Sequence, residues 1–228
     1  MTLLWIIFGL DYYFQLNLYQ YGNFPRKLDY VYGIFTMHFI HGSIEHLSNN
    51  SITLFVLLFL LNKFYKELTF SIILNVILIS GIWIWVAARP SFHIGASALI
   101  YGISSFIFVS GIIRKHRLLM GISMLIVFLY GSMIWGMFPM VKDNISWEGH
   151  LFGALAGLIM AIYYRKRGPQ RPQYSWELEE DDEEVEHPES DPPYWMHHTG
   201  EENEQIKYSY KENKKKEDNS ANSDHQKD

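Results

Sequence analysis

Ser97, His150, His46 and Asn50 are the side chains of this 228-residue chain whose types suit acyl-transfer chemistry. A serine hydroxyl is a weak nucleophile until a base accepts its proton, and a histidine is the natural base. The tetrahedral intermediate then needs hydrogen-bond donors for its oxyanion. The Ser97 backbone N–H, the His46 ring and the Asn50 amide can supply them. No Asp or Glu stands out as a third member. Glu148 is two positions from His150, so a helix would point it elsewhere, and a dyad is expected rather than a triad. Tyr101 follows Ser97 by one helical turn and can stack on the His150 ring. The chain has no cysteine, which removes thiol nucleophiles, disulfides and Cys-type zinc sites.

Taken singly, these residues carry little. A lone serine in an apolar helix usually bonds a backbone carbonyl, and a Gly-x-x-x-Gly pair is a common packing motif. His38, His41 and His93 read as interfacial residues, and His116 as a solvated loop residue. The case rests on the elements that must position them. Residues 1–164 hold nine Lys/Arg and six Asp/Glu, a net +3, whereas residues 165–228 carry net −8. A single soluble domain would not segregate charge in this way. Six apolar segments approach the roughly 20 residues needed to cross a bilayer: Leu3–Leu18, His46–Leu61, Phe70–Ala87, Gly95–Ile113, Leu118–Trp135 and His150–Tyr164. The first is weakened by Asp11, Gln15 and Asn17. Met1 is followed by no basic region or small-residue cleavage site, so no secretory signal is expected. Lys63/Lys66, Arg114/Lys115/Arg117 and Arg165–Arg167 share one side of a six-span arrangement, which places that side and both termini in the cytoplasm. The segment Tyr21–Glu45 is too long for a turn and must be a structured loop packed on the bundle.

This topology brings the polar residues together. His46 and Asn50 open the second span on one helix face, Gly95-Ala96-Ser97-Ala98 opens the fourth, and Gly149-His150 opens the sixth. All three spans run outside to inside, so the clusters lie at one depth. Polar groups inside spans are costly and usually functional. Gly153 and Gly157 share a face with His150 and allow close approach of the sixth span to the fourth.

In this order and at these helix starts, the motifs resemble the rhomboid intramembrane proteases. The histidine, three residues and asparagine of that family read here as His46-Leu47-Ser48-Asn49-Asn50. Its Gly-x-Ser motif reads as Gly95-Ala96-Ser97, with Tyr101 and Gly102 after it, and its last-span pattern as Gly149, His150, Gly153 and Gly157. The resemblance spans about residues 1–165. It implies an all-α membrane protein, a six-transmembrane-helix rhomboid bundle over residues 1–165, with Ser97 as nucleophile and His150 as general base and then acid. It also implies His46 and Asn50 as oxyanion donors and a place for His41 near the site. Substrates would be single-span membrane proteins entering past the fifth span, with Gly136–Trp147 as a lid, and no metal or cofactor would be needed. Two departures stand out. Ala98 replaces the usual glycine after the serine, and the first loop lacks a common Trp-Arg pair, so its attachment is expected to differ.

Residues 166–228 are rich in Glu, Asp, Lys, Asn and Pro and are expected to form a disordered cytoplasmic tail. Arg165–Arg171 can meet anionic lipid. Pro192-Pro193-Tyr194-Trp195 reads first as solvated linker and only second as a docking motif. The basic cluster Lys214–Lys216 is short and lies among acids, so no nucleic-acid role is expected. A compact multi-pass core suggests a bacterial inner membrane. The rival readings are an inactive relative that binds membrane proteins, a transporter, and a purely structural membrane protein. A transporter predicts repeats and broken helices near the midplane, which the sequence lacks. A structural protein leaves the aligned clusters unexplained.

Overall fold

The computed structural model describes residues 1–139 and 146–172. Contacts divide the chain into Met1–Tyr174 and Ser175–Asp228, and the described residues all belong to the first unit. The expected tail lies outside them from residue 173 onward, as do the Pro192–Trp195 motif and residues 140–145 of the expected lid.

The described residues form helices α1 (Thr2–Phe14), α2 (Gly33–Thr36), α3 (Ile44–Phe64), α4 (Thr69–Ala87), α5 (Ser97–Arg114), α6 (Arg117–Tyr130) and α7 (Trp147–Tyr163). A 3-10 segment, Gly131–Met137, prolongs α6. The helices α3, α4 and α5 are long and apolar enough to cross a membrane, while α1, α6 and α7 are apolar but shorter. At 1.5 Å per residue, the 14 residues of α6 span about 21 Å, short of about 30 Å of hydrocarbon. Length therefore marks three of the six expected spans as full crossings.

Local chemistry sets the helix ends. Ser43 caps α3 by accepting from the His46 N–H at 3.1 Å, with Glu45 in the first turn and Lys63 in the last, both matched to the helix dipole. α1 stops before its expected end at Leu18. Gln15 turns left-handed with φ 54°, and Asp11 accepts the Leu18 N–H at 3.0 Å. The polar residues that weakened this span in sequence thus satisfy backbone groups locally and end the helix. Lys115, also left-handed, closes α5.

α5 is the central helix. Ile103, Phe106 and Ile107 are inaccessible or nearly so and pack among residues of α3, α4, α6 and α7. Its most extensive pairing is with α7. A Cβ on Gly153 would collide with the Ala98 carbonyl, and one on Gly157 with the Gly102 carbonyl. The absent side chains let the two backbones touch, as small residues do between membrane helices. At the far end of α5, Arg114 is buried and donates to Ser110 Oγ (2.8 Å), Tyr164 O (2.6 Å) and Pro169 O (2.9 Å). It thereby ties carbonyls at and beyond the end of α7 to α5, the Tyr164 carbonyl accepting also from the Arg167 N–H at 2.9 Å. Outward faces are apolar, including Ile52, Phe55 and Phe59 of α3 and Phe128 of α6, as a lipid-facing surface requires.

The long segment before α3 is structured throughout, with 3-10 turns at Leu28–Tyr30 and Met37–Phe39 flanking α2. Its attachment uses Arg26 and Trp85. Arg26 Nη1 donates to Val86 O (3.2 Å) and Ala88 O (2.9 Å), closing the end of α4, and Trp85 Nε1 donates to Lys27 O (3.1 Å). Buried Asn23 pairs backbone with His93 at 3.0 and 2.9 Å and gives its amide to Gly81 O at 2.8 Å.

Candidate active site

Ser97 is the first residue of α5. Ala96 is the N-cap residue, and no side chain caps this end. The N–H groups of a first helical turn have no intrahelical acceptor, so they are free to meet an anion. The turn leading into Ser97 is held from the first loop. The Gly95 N–H donates to Met37 O at 2.8 Å, and the Ala96 N–H donates to His41 Nε2 at 3.4 Å. Gly95 has φ +109°, a conformation that favours glycine. It also lacks room for a side chain, because a Cβ would lie 2.7 Å from His46 Nε2 and 3.5 Å from Asn50 Nδ2. His46 and Asn50 of α3 therefore meet the backbone two residues before Ser97.

Hydrogen bonding determines how Asn50 is presented. A backbone N–H can only donate, so the Ala96 contact makes His41 Nε2 an acceptor. The Asn50 side-chain nitrogen, 3.1 Å from the same atom, must then donate to it. One amide hydrogen is used there and the second is available. The His41 and His46 rings meet edge to face with centroids 5.1 Å apart. His41, which lies in the loop before α3, is buried, and burial together with the nearby His46 lowers its pKa to about 4, favouring the neutral ring this bonding requires.

On the opposite side, His150 in the first turn of α7 stacks on Tyr101 of α5, with ring centroids 4.2 Å apart and planes 8° from parallel. Its Nδ1 lies 2.9 Å from Gly136 O. A carbonyl only accepts, so Nδ1 carries a proton and the lone pair of the neutral ring is on Nε2. Ser97, His46 and His150 are half-buried, whereas Asn50, His41 and Tyr101 are buried behind them. Ser97, His46 and His150 are thus the accessible groups of this cluster, with the other three packed behind them. No group of His and acidic residues able to hold a metal occurs among the described residues.

The Rhomboid domain family model matches residues 28–167. The chain belongs to the rhomboid family. An uncharacterized protein of Mycobacterium tuberculosis (strain H37Rv) is 29% identical over 178 residues, covering 75% of this chain and 73% of that protein. An uncharacterized protein of Mycobacterium leprae is 29% identical over 180 residues, covering 75% and 70%.

In this rhomboid, every residue singled out in the sequence for chemistry lies around the start of α5. Gly102 serves packing there, its Cα facing Val76 of α4 and the Gly153 carbonyl. Two features escaped the sequence reading. Gly136 entered only as the edge of a lid, yet it supplies the His150 acceptor, and a Cβ on it would strike the Tyr101 hydroxyl and lie 3.0 Å from His150 Nδ1. His93, read as interfacial, is buried and bonded to Ser146, the N-cap of α7. A carbonyl acceptor leaves no trace in residue type. A Ser three residues before a Gly-His pair was the available hint of a cap.

Proposed function

We propose that this rhomboid is an intramembrane serine endopeptidase working through a Ser97–His150 dyad. Its substrates on this reading are single-span membrane proteins cut near the outer leaflet. The observation that carries the reading is the fixed His150 ring, which stacks on Tyr101 one turn beyond Ser97 and has its basic Nε2 unprotonated because Nδ1 donates to Gly136 O. A carbonyl here takes the orienting task that a carboxylate performs in a triad. Ser97 Oγ attacks the scissile carbonyl carbon while His150 Nε2 accepts its proton. The oxyanion meets the Ser97 N–H, the free Asn50 amide hydrogen and the His46 ring. The C–N bond then breaks as His150 returns the proton to the leaving amine, leaving an ester on Ser97. Water, deprotonated by His150, hydrolyses that ester and regenerates the hydroxyl.

The same reading takes residues 1–165 as a six-span membrane domain, with both termini cytoplasmic in a bacterial inner membrane, and residues 166–228 as a disordered tail. Here α1, α6 and α7 complete the crossing with the help of adjoining turns and local thinning of the bilayer. The test is labelling of detergent-solubilised protein with a fluorophosphonate, alongside cleavage of a model single-span substrate. Wild type labels at Ser97 and cleaves, while Ser97→Ala and His150→Ala each do neither. Folded wild-type protein that neither labels nor cleaves would identify a binding factor without protease activity.

A further inference from the structure

Beside the dyad lies a second polar cluster that the proposed chemistry does not use. It joins the loop between α4 and α5 to the first turn of α7. His93 Nε2 is 3.1 Å from the Arg89 carbonyl and must donate to it. Nδ1 is then the acceptor, and the Ser146 hydroxyl, 2.6 Å away, donates to it. The same Ser146 oxygen accepts the Gly149 N–H at 3.2 Å, capping α7 immediately before His150. A parallel link runs from the Arg89 Nε and backbone N–H to Glu148 Oε1, each at 3.4 Å. His93 and Glu148 are both 3% exposed. His93 is also held from behind by its backbone pairing with Asn23. One short loop therefore grips the start of the base helix at Ser146 and Glu148, and four residues after His93 it becomes the nucleophile, Ser97.

We propose that His93 and Ser146 are positioning residues that set the His150 ring relative to Ser97 by fixing the start of α7 to the loop that delivers the serine. The inference rests on the dyad reading for its kinetic consequence, though its structural content does not. Lost registration between groups that must meet within hydrogen-bond reach lowers rate rather than affinity. A hydroxyl-dependent cap predicts that Ser146→Thr is tolerated where Ser146→Ala is not.

The experiment uses the full chain in detergent, comparing His93→Leu, Ser146→Ala, Ser146→Thr and the His93→Leu/Ser146→Ala double variant. Read-outs are fluorophosphonate labelling rate at Ser97, kcat and KM on a single-span substrate, and thermal unfolding. The expected result is a loss of about 10- to 100-fold in labelling rate and kcat for His93→Leu and Ser146→Ala, with KM within about twofold. Ser146→Thr should stay near wild type, and the double variant should be no worse than the poorer single, because one linkage is cut twice. Folded variants that label at the wild-type rate, multiplying losses in the double variant, or a threonine as slow as alanine would each overturn the proposal. Nitrogen-15 imidazole NMR of wild type provides a check that needs no variant. His93 must carry its proton on Nε2, and a proton on Nδ1 refutes the linkage. Should wild type prove inert to the probe, the protease reading falls separately. The linkage is then decided by whether Ser146→Ala shifts the His150 ring signals, which it must do if the cap positions that ring.

Discussion

At the scale of single residues, the site is organised by which atoms can only donate or only accept. The Gly136 carbonyl sets the His150 tautomer, and the Ala96 N–H sets that of His41, which in turn sets how Asn50 presents its amide. Asn50→Ala should lower kcat by on the order of 10²-fold if its remaining hydrogen meets the oxyanion. His46→Ala should do likewise, and unchanged turnover at either position would remove that residue from the oxyanion role. His41→Ala should act through Asn50, so that adding it to Asn50→Ala costs little more. Independent losses in that double variant would contradict the arrangement. His41 and His93 also carry a pH dependence. Burial lowers both from the ordinary value of about 6.5, His41 to about 4. Below about pH 6.5 the unfolded chain binds protons that the folded chain refuses, so their contribution to stability is present above that pH and is lost as pH falls. Thermal unfolding in one detergent should therefore occur at lower temperature at pH 5 than at pH 7. A midpoint that holds or rises would count against this account.

At the scale of elements, the decisive contact is α5 against α7. Gly153 and Gly157 place the α7 backbone on the Ala98 and Gly102 carbonyls, which is what brings His150 beside Tyr101. Gly157→Leu would have to separate the helices, and overpacking of this kind costs about 1–3 kcal/mol or more. Its expected signature is a lowered unfolding midpoint together with lost labelling at Ser97, and wild-type behaviour in both would show that the close approach is dispensable. The Ala98 side chain is buried in a second apolar cluster with Met37, Ile84 and Ala88.

At the scale of the whole molecule, charge and apolarity are divided between the two ends of the chain. The described helices hold a continuous core from Leu4 to Tyr164, and Arg114 closes it through Pro169. The proposed domain boundary follows from this. A chain ended after Pro172 should keep the wild-type unfolding midpoint and labelling rate, measured side by side in the same detergent. A marked fall in either would assign residues 173–228 a part in the folded domain.

How far the sequence could be read follows from these scales. Apolar segments and the polar residues at three helix starts were visible, because a membrane environment leaves a compositional record and because hydroxyl, imidazole and amide are side-chain identities. The helix ends were less legible. α1 stops at Phe14 because Asp11 and Gln15 bond nearby backbone, and α6 gives way to a 3-10 segment, neither of which hydropathy registers. The contacts of Gly136 and His93 were not legible, and Ser146 offered only the hint of a cap. Each depends on a backbone carbonyl or a helix cap brought from a distant part of the chain, and backbone groups are the same at every position. The sequence thus specified which chemical groups could react. The packed fold alone decided which nitrogen of each ring holds the proton, since that depends on the atom lying opposite.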